Sequence, residues 1–283
     1  MDNRPIAFLD SGIGGVPYCR AFVSRNPAEP VVYVADRAYF PYGERDRDEL
    51  RGILRELIEL LVAREDPKLL VLACNTATVS ALSFLREQFP HLPFVGTVPA
   101  VKPAVLGSKT HLIGVLGTRR TVDDPYIADL AGRFGGGCSL VPLAAPELVD
   151  FVEYRYTAAG ADERRRAVLP CLEHFRNAGV DALVLGCTHF LFLLSEFREA
   201  AAPDLVVYDS VDGITRRVES LLEGAGRRAG GATGAKAPVP RRFYVREPRS
   251  PASPASASPL AGSGGSDPPR FWAEEMGFEL KTL

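Results

Sequence analysis

Two stretches, Leu69-Leu-Val-Leu-Ala-Cys-Asn-Thr76 and Ala182-Leu-Val-Leu-Gly-Cys-Thr-His189, decide how this chain is read. Each is a short apolar run of the kind that forms a strand buried on both faces, and each ends in a cysteine followed by hydrogen-bonding residues. A second pair matches at nearly the same separation. Ile6-Ala-Phe-Leu-Asp-Ser-Gly12 resembles Ile113-Gly-Val-Leu-Gly-Thr-Arg119; Ser11 and Thr118 are 107 residues apart, and Cys74 and Cys187 are 113 apart. Two matched pairs at almost one offset predict two similar halves.

Further apolar runs at Val31–Ala35, Phe94–Val98 and Leu205–Tyr208 read as strands of the same parallel kind. Between them, Glu44–Glu65 carries Leu50, Ile53, Leu54, Leu57, Ile58 and Leu61 at the spacing of one apolar helix face. Helical patterns also cover Thr78–Gln88, Pro125–Phe134, Glu163–Ala178 and Phe190–Ala202. Strand and helix in alternation predict an α/β protein with two pseudo-symmetric open sheets, ligands lying in a cleft at the carboxyl ends of the strands. The expected division is 1–97 plus 207–283 for the first domain and 98–206 for the second. Within the first, Pro248–Pro269 has 19 of 22 residues that are Pro, Ser, Ala or Gly and reads as a disordered loop. Arg270–Leu280 regains apolar side chains and is expected to dock as a short helix.

With 283 residues the chain is long enough for about two domains. Its 33 basic and 35 acidic residues are interspersed, which argues against nucleic acid or an anionic membrane as the main partner. No apolar run approaches the ~18 residues of a membrane span. The N-terminus lacks a signal-peptide pattern, so a cytoplasmic location is expected. Five cysteines without framework spacing argue against a disulfide scaffold.

Cys74 and Cys187 stand at equivalent strand ends, each before a helical pattern whose positive end favours a thiolate. Neither has the CxxC spacing of a structural zinc site, so no metal is expected. Cys19, Cys138 and Cys171 read as core or surface cysteines. Asp10-Ser-Gly-Ile-Gly-Gly15 can cradle an anion, and Asp10 is either a helix cap or a carboxylate that orients a base or an ammonium group. A dinucleotide site, with Asp36 as the ribose-binding acid, fails at Pro17, where the third glycine belongs. His189 is a candidate tuner of the adjacent thiol. Pro41-Tyr-Gly43 and Thr118-x-x-Thr121 offer donors to a carboxylate.

These segments, with Val98-Pro-Ala-Val-Lys-Pro-Ala104, Gly114-Val-Leu-Gly-Thr-Arg-Arg-Thr121 and Gly186-Cys-Thr-His-Phe190, resemble the glutamate racemases of the cofactor-independent aspartate/glutamate racemase superfamily. The resemblance runs in order from about Ile6 to Asp209. It implies racemisation of L- and D-glutamate without pyridoxal phosphate, metal or nucleotide, supplying D-glutamate for peptidoglycan. It further implies Cys74 and Cys187 as catalytic acid/bases assisted by Asp10, His189 and Glu153. Substrate contacts are implied at Ser11, Tyr42, Gly43, Asn75, Thr76 and Thr188, with Thr118 and Thr121 as additions. Glutamate is the implied small-molecule partner, and a homodimer is compatible with the family. Leu191 departs from the proline usual after the aromatic of the second cysteine motif. The alternatives are racemisation of aspartate or another amino acid by the same thiols, or a non-catalytic amino-acid-binding protein.

Overall fold

The computed structural model describes residues 1–134, 137–230, 239–248 and 267–283. Among these the chain forms ten strands in two parallel sheets: β1 (Ile6–Asp10), β2 (Val31–Ala35), β3 (Leu69–Leu72), β4 (Phe94–Gly96), β5 (Leu112–Gly117), β6 (Ser139–Ala144), β7 (Ala182–Leu185), β8 (Val206–Tyr208), β9 (Arg241–Val245) and β10 (Glu279–Thr282). One sheet has the order β10-β9-β2-β1-β3-β4 and the other β6-β5-β7-β8. The predicted repeat is therefore real at the level of topology, because β2-β1-β3-β4 and β6-β5-β7-β8 are the same arrangement.

The register agrees as closely as the order. Leu9 lies opposite Leu72 in the first sheet, as Leu116 lies opposite Leu185 in the second. Beyond these pairs the Ala73 N–H donates to the Leu9 carbonyl at 2.8 Å and the Gly186 N–H to the Leu116 carbonyl at 2.6 Å. On the other flank the Asp36 N–H donates to Asp10 and the Ala145 N–H to Gly117, at 2.9 and 3.1 Å. Ser11 with Cys74, and Thr118 with Cys187, thus occupy matching positions, each two residues beyond a paired leucine.

The first unit comprises residues 1–97 and the described residues from Val211 onward; the second spans Val98–Ser210. The first unit resumes at Val211 rather than at 207, because β8 pairs with β7 and so belongs to the second sheet. Strands β1, β2, β3 and β7 are buried along their whole length, the signature of parallel strands covered on both faces. In the first unit Leu50, Ile53, Leu54, Leu57, Ile58 and Leu61 of helix Arg47–Glu65 pack with Val32, Val34, Leu70 and Leu72. Each such side chain contributes roughly 1.5–3 kcal/mol by leaving water. The helix starts at Asp46, whose carboxylate accepts from the N–H groups of Asp48 and Glu49, and ends at Asp66 in the left-handed region. In the second unit, Val101, Ala104, Ile127 and Ala131 cover Ile113, Val115, Ala182 and Val184.

Strands β6, β9 and β10 were not expected. β6 is a half-exposed edge containing Pro142, β9 opens on Arg241 and Arg242, and β10 is a polar edge, so none carries a buried-strand signature. The C-terminal tail docks through helix Pro268–Glu275, burying Trp272, before adding β10. Residues 249–266 lie outside the described residues, but Pro268 and Pro269 do not belong to a loop: they open that helix, where a missing N–H is harmless. No helix among the described residues is long and apolar enough to cross a membrane.

Asp181, immediately before β7, fixes the lead-in to β5. Its carboxylate accepts from the Ser108 and Thr110 hydroxyls at 2.6 and 3.0 Å and from the Lys109 and Thr110 N–H groups at 2.6 and 3.1 Å. Partial desolvation raises its pKa, but these hydrogen bonds outweigh that and hold it below the ordinary value. A depressed folded pKa stabilises the fold above the ordinary aspartate range and loses that contribution as pH falls below about 4. Asp181→Ala is expected to cost about 0.5–1.5 kcal/mol at pH 7, because Lys109 and Thr110 are exposed and water takes over part of the carboxylate's place. Denaturant unfolding of wild type and variant should converge in the acid range; a constant difference would contradict the assignment.

Candidate active site

In the first unit β1 delivers Asp10, which is fully buried, with its Oδ1 accepting from the Ser11 hydroxyl at 3.1 Å and the Gly12 N–H at 3.2 Å. Tyr33 of β2 braces the loop that follows: its phenol donates to the Gly12 carbonyl at 2.9 Å and accepts from the Gly15 N–H at 3.1 Å. A Cβ on Gly15 would meet the Ala73 Cβ at 2.6 Å. Only glycine lets this loop lie against the residue that precedes Cys74.

Cys74 occupies the N-cap of helix Asn75–Gln88 in an extended conformation, and Asn75 and Thr76 are buried behind it. The first N–H groups of that helix lack intrahelical acceptors and carry its positive end to the thiol. Asn75 Oδ1 is buried with no hydrogen-bond partner, an open acceptor. Tyr42 lies buried on a short 3-10 turn with Gly43, and its phenol donates to Asp36 Oδ2 at 2.6 Å. Burial pushes the Asp36 pKa up to about 6, against the pull of Tyr42, Arg246 and Arg45. Burial, and then Asp36, raise the Tyr42 phenol well above its usual value, with smaller contributions from Cys74 and Asp10. Tyr42 is therefore in electrostatic reach of both. Asp36 is not placed as a ribose-binding acid: it is fully buried and holds Tyr42.

In the second unit Cys187 follows β7 in the same extended conformation. The element after it differs from the expectation of one helix over Phe190–Ala202. Thr188–Leu193 is a 3-10 turn, and the α-helix begins only at Leu194. What stands beside this thiol is an imidazole. His189 Nδ1 is 3.9 Å from Cys187 Sγ, and His189 Nε2 is 3.0 Å from Glu153 Oε2. All three residues are at most 5% exposed. Glu153 reaches His189 from a π-helical turn, Phe151–Arg155. With Nε2–H donating to Glu153, Nδ1 accepts from the thiol; when the ring is protonated, Nδ1–H donates to the thiolate. Such a line of thiol, imidazole and carboxylate both takes and gives a proton. Thr188 is buried beside it. Thr118 caps helix Arg119–Asp123, accepting from the Thr121 N–H, and the two hydroxyls are 3.0 Å apart.

The remaining cysteines stand apart from these clusters. Cys19 and Cys171 are buried, and burial pushes the Cys171 thiol up to about 12; Cys138 is half-buried, 3.7 Å from His111 Nδ1. Among the described residues no group of three or more His, Cys, Asp or Glu side chains is arranged to hold a metal ion. Tyr33 and Arg246 belong to no motif in the sequence; only the tyrosine's place in a buried strand next to a glycine-rich loop points to a brace.

The family model of the Asp/Glu/hydantoin racemases matches residues 14–218. The chain is 40% identical over 244 residues to the glutamate racemase of Treponema pallidum (strain Nichols), covering 85% of this chain and 91% of that protein. It is 40% identical over 224 residues to the glutamate racemase of Sphingopyxis alaskensis, covering 78% and 83%. Among solved structures, Escherichia coli glutamate racemase in complex with L-glutamate and the activator UDP-MurNAc-Ala superposes with a TM-score of 0.76 at 30% identity, covering 99% of this chain and 98% of that one.

The Tyr42–Asp36 bond makes a stability prediction. The folded pKa of Asp36, about 6, lies above its ordinary 3.8, so the fold loses stability from this group as pH rises through that interval. The phenol offsets part of the loss by donating to the ionised form. Tyr42→Phe should therefore cost about 1–3 kcal/mol at pH 8 and distinctly less at pH 5. Equal losses in denaturant unfolding at the two pH values would show that the bond does not depend on the Asp36 charge.

Proposed function

The chain belongs to the Asp/Glu/hydantoin racemase family, and from that premise we propose that it interconverts L- and D-glutamate by moving the α-proton with two thiols, Cys74 and Cys187. The observation that carries this reading is the repeated register: a cysteine lies two residues beyond the same paired leucine in each sheet. Inversion at carbon needs a proton removed from one face and another delivered to the opposite face. One base would have to cross the substrate between the two steps. Two bases divide the work, one entering as thiolate and the other as thiol, with the states exchanged at the end of each turnover.

For L-to-D conversion one thiolate takes the α-proton, the bond electrons pass toward the α-carboxylate, and the second thiol protonates the opposite face. The reading requires Cys74 and Cys187 to approach the α-carbon from opposite sides. The α-proton is a very weak acid, so the developing charge needs fixed donors, each worth about 3–4 kcal/mol where such donors have been removed from enzymes. Residues of the segments that follow β1, β3, β5 and β7, namely Ser11, Asn75, Thr76, Thr118, Thr121 and Thr188, are the chain's candidates for binding, joined by Tyr42 and Gly43. Asn75 Oδ1, without a donor of its own, suits the substrate ammonium. Asp10 assists Cys74, while His189, held by Glu153, assists Cys187. The chemistry is carried by side chains, with no cofactor in the reading. The product would supply D-glutamate for peptidoglycan in the cytoplasm.

Purified protein dialysed against chelator should racemise L-glutamate, and either Cys74→Ser or Cys187→Ser should abolish turnover, since a hydroxyl is far too weak an acid to replace a thiol. Near wild-type turnover in either variant would remove the two-thiol mechanism. Aspartate, one methylene shorter, brings its distal carboxylate out of register with its donors and leaves them unpaired. Glutamate should therefore be preferred by more than about a hundredfold in kcat/KM; equal turnover of aspartate would redirect the substrate assignment and leave the mechanism standing.

A further inference from the structure

The first unit contains a charged cluster that the second does not repeat. Asp36 follows β2 at the position that Ala145 takes after β6, both N–H groups making the same bond to the neighbouring strand. A fully buried carboxylate thus stands where the other half has a methyl group. Its partners come from two segments, the turn at Tyr42–Arg45 and the residue after β9. Tyr42 donates to Oδ2 at 2.6 Å; Arg45, just before helix Arg47–Glu65, adds positive charge; Arg246 Nη1 lies 3.6 Å from Oδ2. The last distance is too long for a hydrogen bond, and Asp36 Oδ1 and Arg246 Nη1 are both buried without one.

Arg246 comes from the segment after β9, beyond the 14–218 span of the family match. Its backbone is clamped to the first sheet, its N–H donating to the Ala35 carbonyl at 2.9 Å and its carbonyl accepting from the Ala38 N–H at 2.8 Å. Its guanidinium stacks over the Tyr39 ring with 4.8 Å to the centroid, and Arg45 stacks on the same ring at 5.6 Å. This fixes two cations beside one buried carboxylate whose hydrogen bond determines which way the Tyr42 hydroxyl points.

We propose that Arg246 is a positioning residue for the reaction: by keeping Asp36 ionised it holds the Tyr42 O–H donated to Asp36, so that the phenol is not the carboxylate donor expected from its turn and its oxygen accepts from the substrate ammonium instead. The proposal rests on the racemase reading given above. A protonated Asp36 would instead donate to Tyr42, turning the phenol hydrogen toward the substrate and removing an acceptor. Asp10 and Cys74 are the other ionisable groups in electrostatic reach of Tyr42, while the charges acting on Asp36 are the cations of Arg246 and Arg45. The charge that decides the state of Asp36 therefore comes from Arg246 and Arg45.

The test uses the full chain with 13C-labelled aspartate carboxyls, titrated by NMR, alongside steady-state kinetics with L-glutamate. In wild type the Asp36 carboxyl should titrate near pH 6. Arg246→Met should move that midpoint up by roughly one unit, raise KM about tenfold with a much smaller change in kcat, and shift the acid limb of kcat/KM upward by the same amount. Arg246→Lys should restore most of both. An Arg246→Met protein with wild-type titration and wild-type KM would overturn the proposal. If that variant fails to fold, Arg246→Gln carries the same two measurements with the same expectations. A wild type that binds but does not racemise glutamate would instead overturn the racemase reading; the titration, which needs no turnover, separates the two failures.

Discussion

Ala73 N–H to Leu9 and Gly186 N–H to Leu116 are the same backbone hydrogen bond made once in each sheet, and the placement of both cysteines depends on them. Strand pairing sets register in steps of one residue, and a slip of one residue turns every side chain to the other face. A slip at either bond would bury Cys74 or Cys187 in the sheet and bring an apolar neighbour to the strand end. The packing of β3 and β7, buried along their whole length, opposes it, because a slip turns every side chain to the other face. Loops after the strands then need only be short. Gly15 against Ala73 and the extended conformations of Cys74 and Cys187 complete the geometry.

The two halves share a frame and differ in how each thiol is served. Cys74 caps a 14-residue α-helix and is, like Asp10, in electrostatic reach of Tyr42. Cys187 precedes a 3-10 turn and faces His189, which Glu153 holds at 3.0 Å. A helix end stabilises negative charge by fixed dipoles, whereas an imidazole tied to a carboxylate changes state with the thiol. Substrate and product of a racemase are enantiomers, and a chiral protein does not present mirror-image surroundings to the two faces of the α-carbon. Two unlike surroundings for two like thiols are in keeping with that.

Much of this arrangement was legible in the sequence because it is local. The apolar runs ending at Asp10, Cys74, Gly117 and Cys187 report strands buried on both faces, and their recurrence at nearly one offset reports the repeat. β6, β9 and β10 were not legible, since half-exposed or arginine-led edge strands carry no such signature. Glu153 entered only through family resemblance; a π-turn leaves no periodic pattern, and its bond to His189 joins distant segments. Arg246 left still less trace. It lies past a stretch rich in Gly and Ala, and its relation to Asp36 exists only once β9 has paired with β2. Asp36 itself is visible at the end of a strand, but the one role the sequence offers it, a ribose-binding acid, fails at Pro17, and no spacing pattern joins it to Tyr42.

The two-thiol account is tested most directly by the isotope carried by the first product. Unlabelled L-glutamate is incubated with the protein in D2O, and D- and L-glutamate are separated after a few per cent conversion and analysed at Cα. Two bases that exchange with solvent between turnovers predict D-glutamate carrying deuterium and recovered L-glutamate still carrying protium. D-glutamate that retains the original protium would mean that one base returns the same proton to the other face, and would contradict the account.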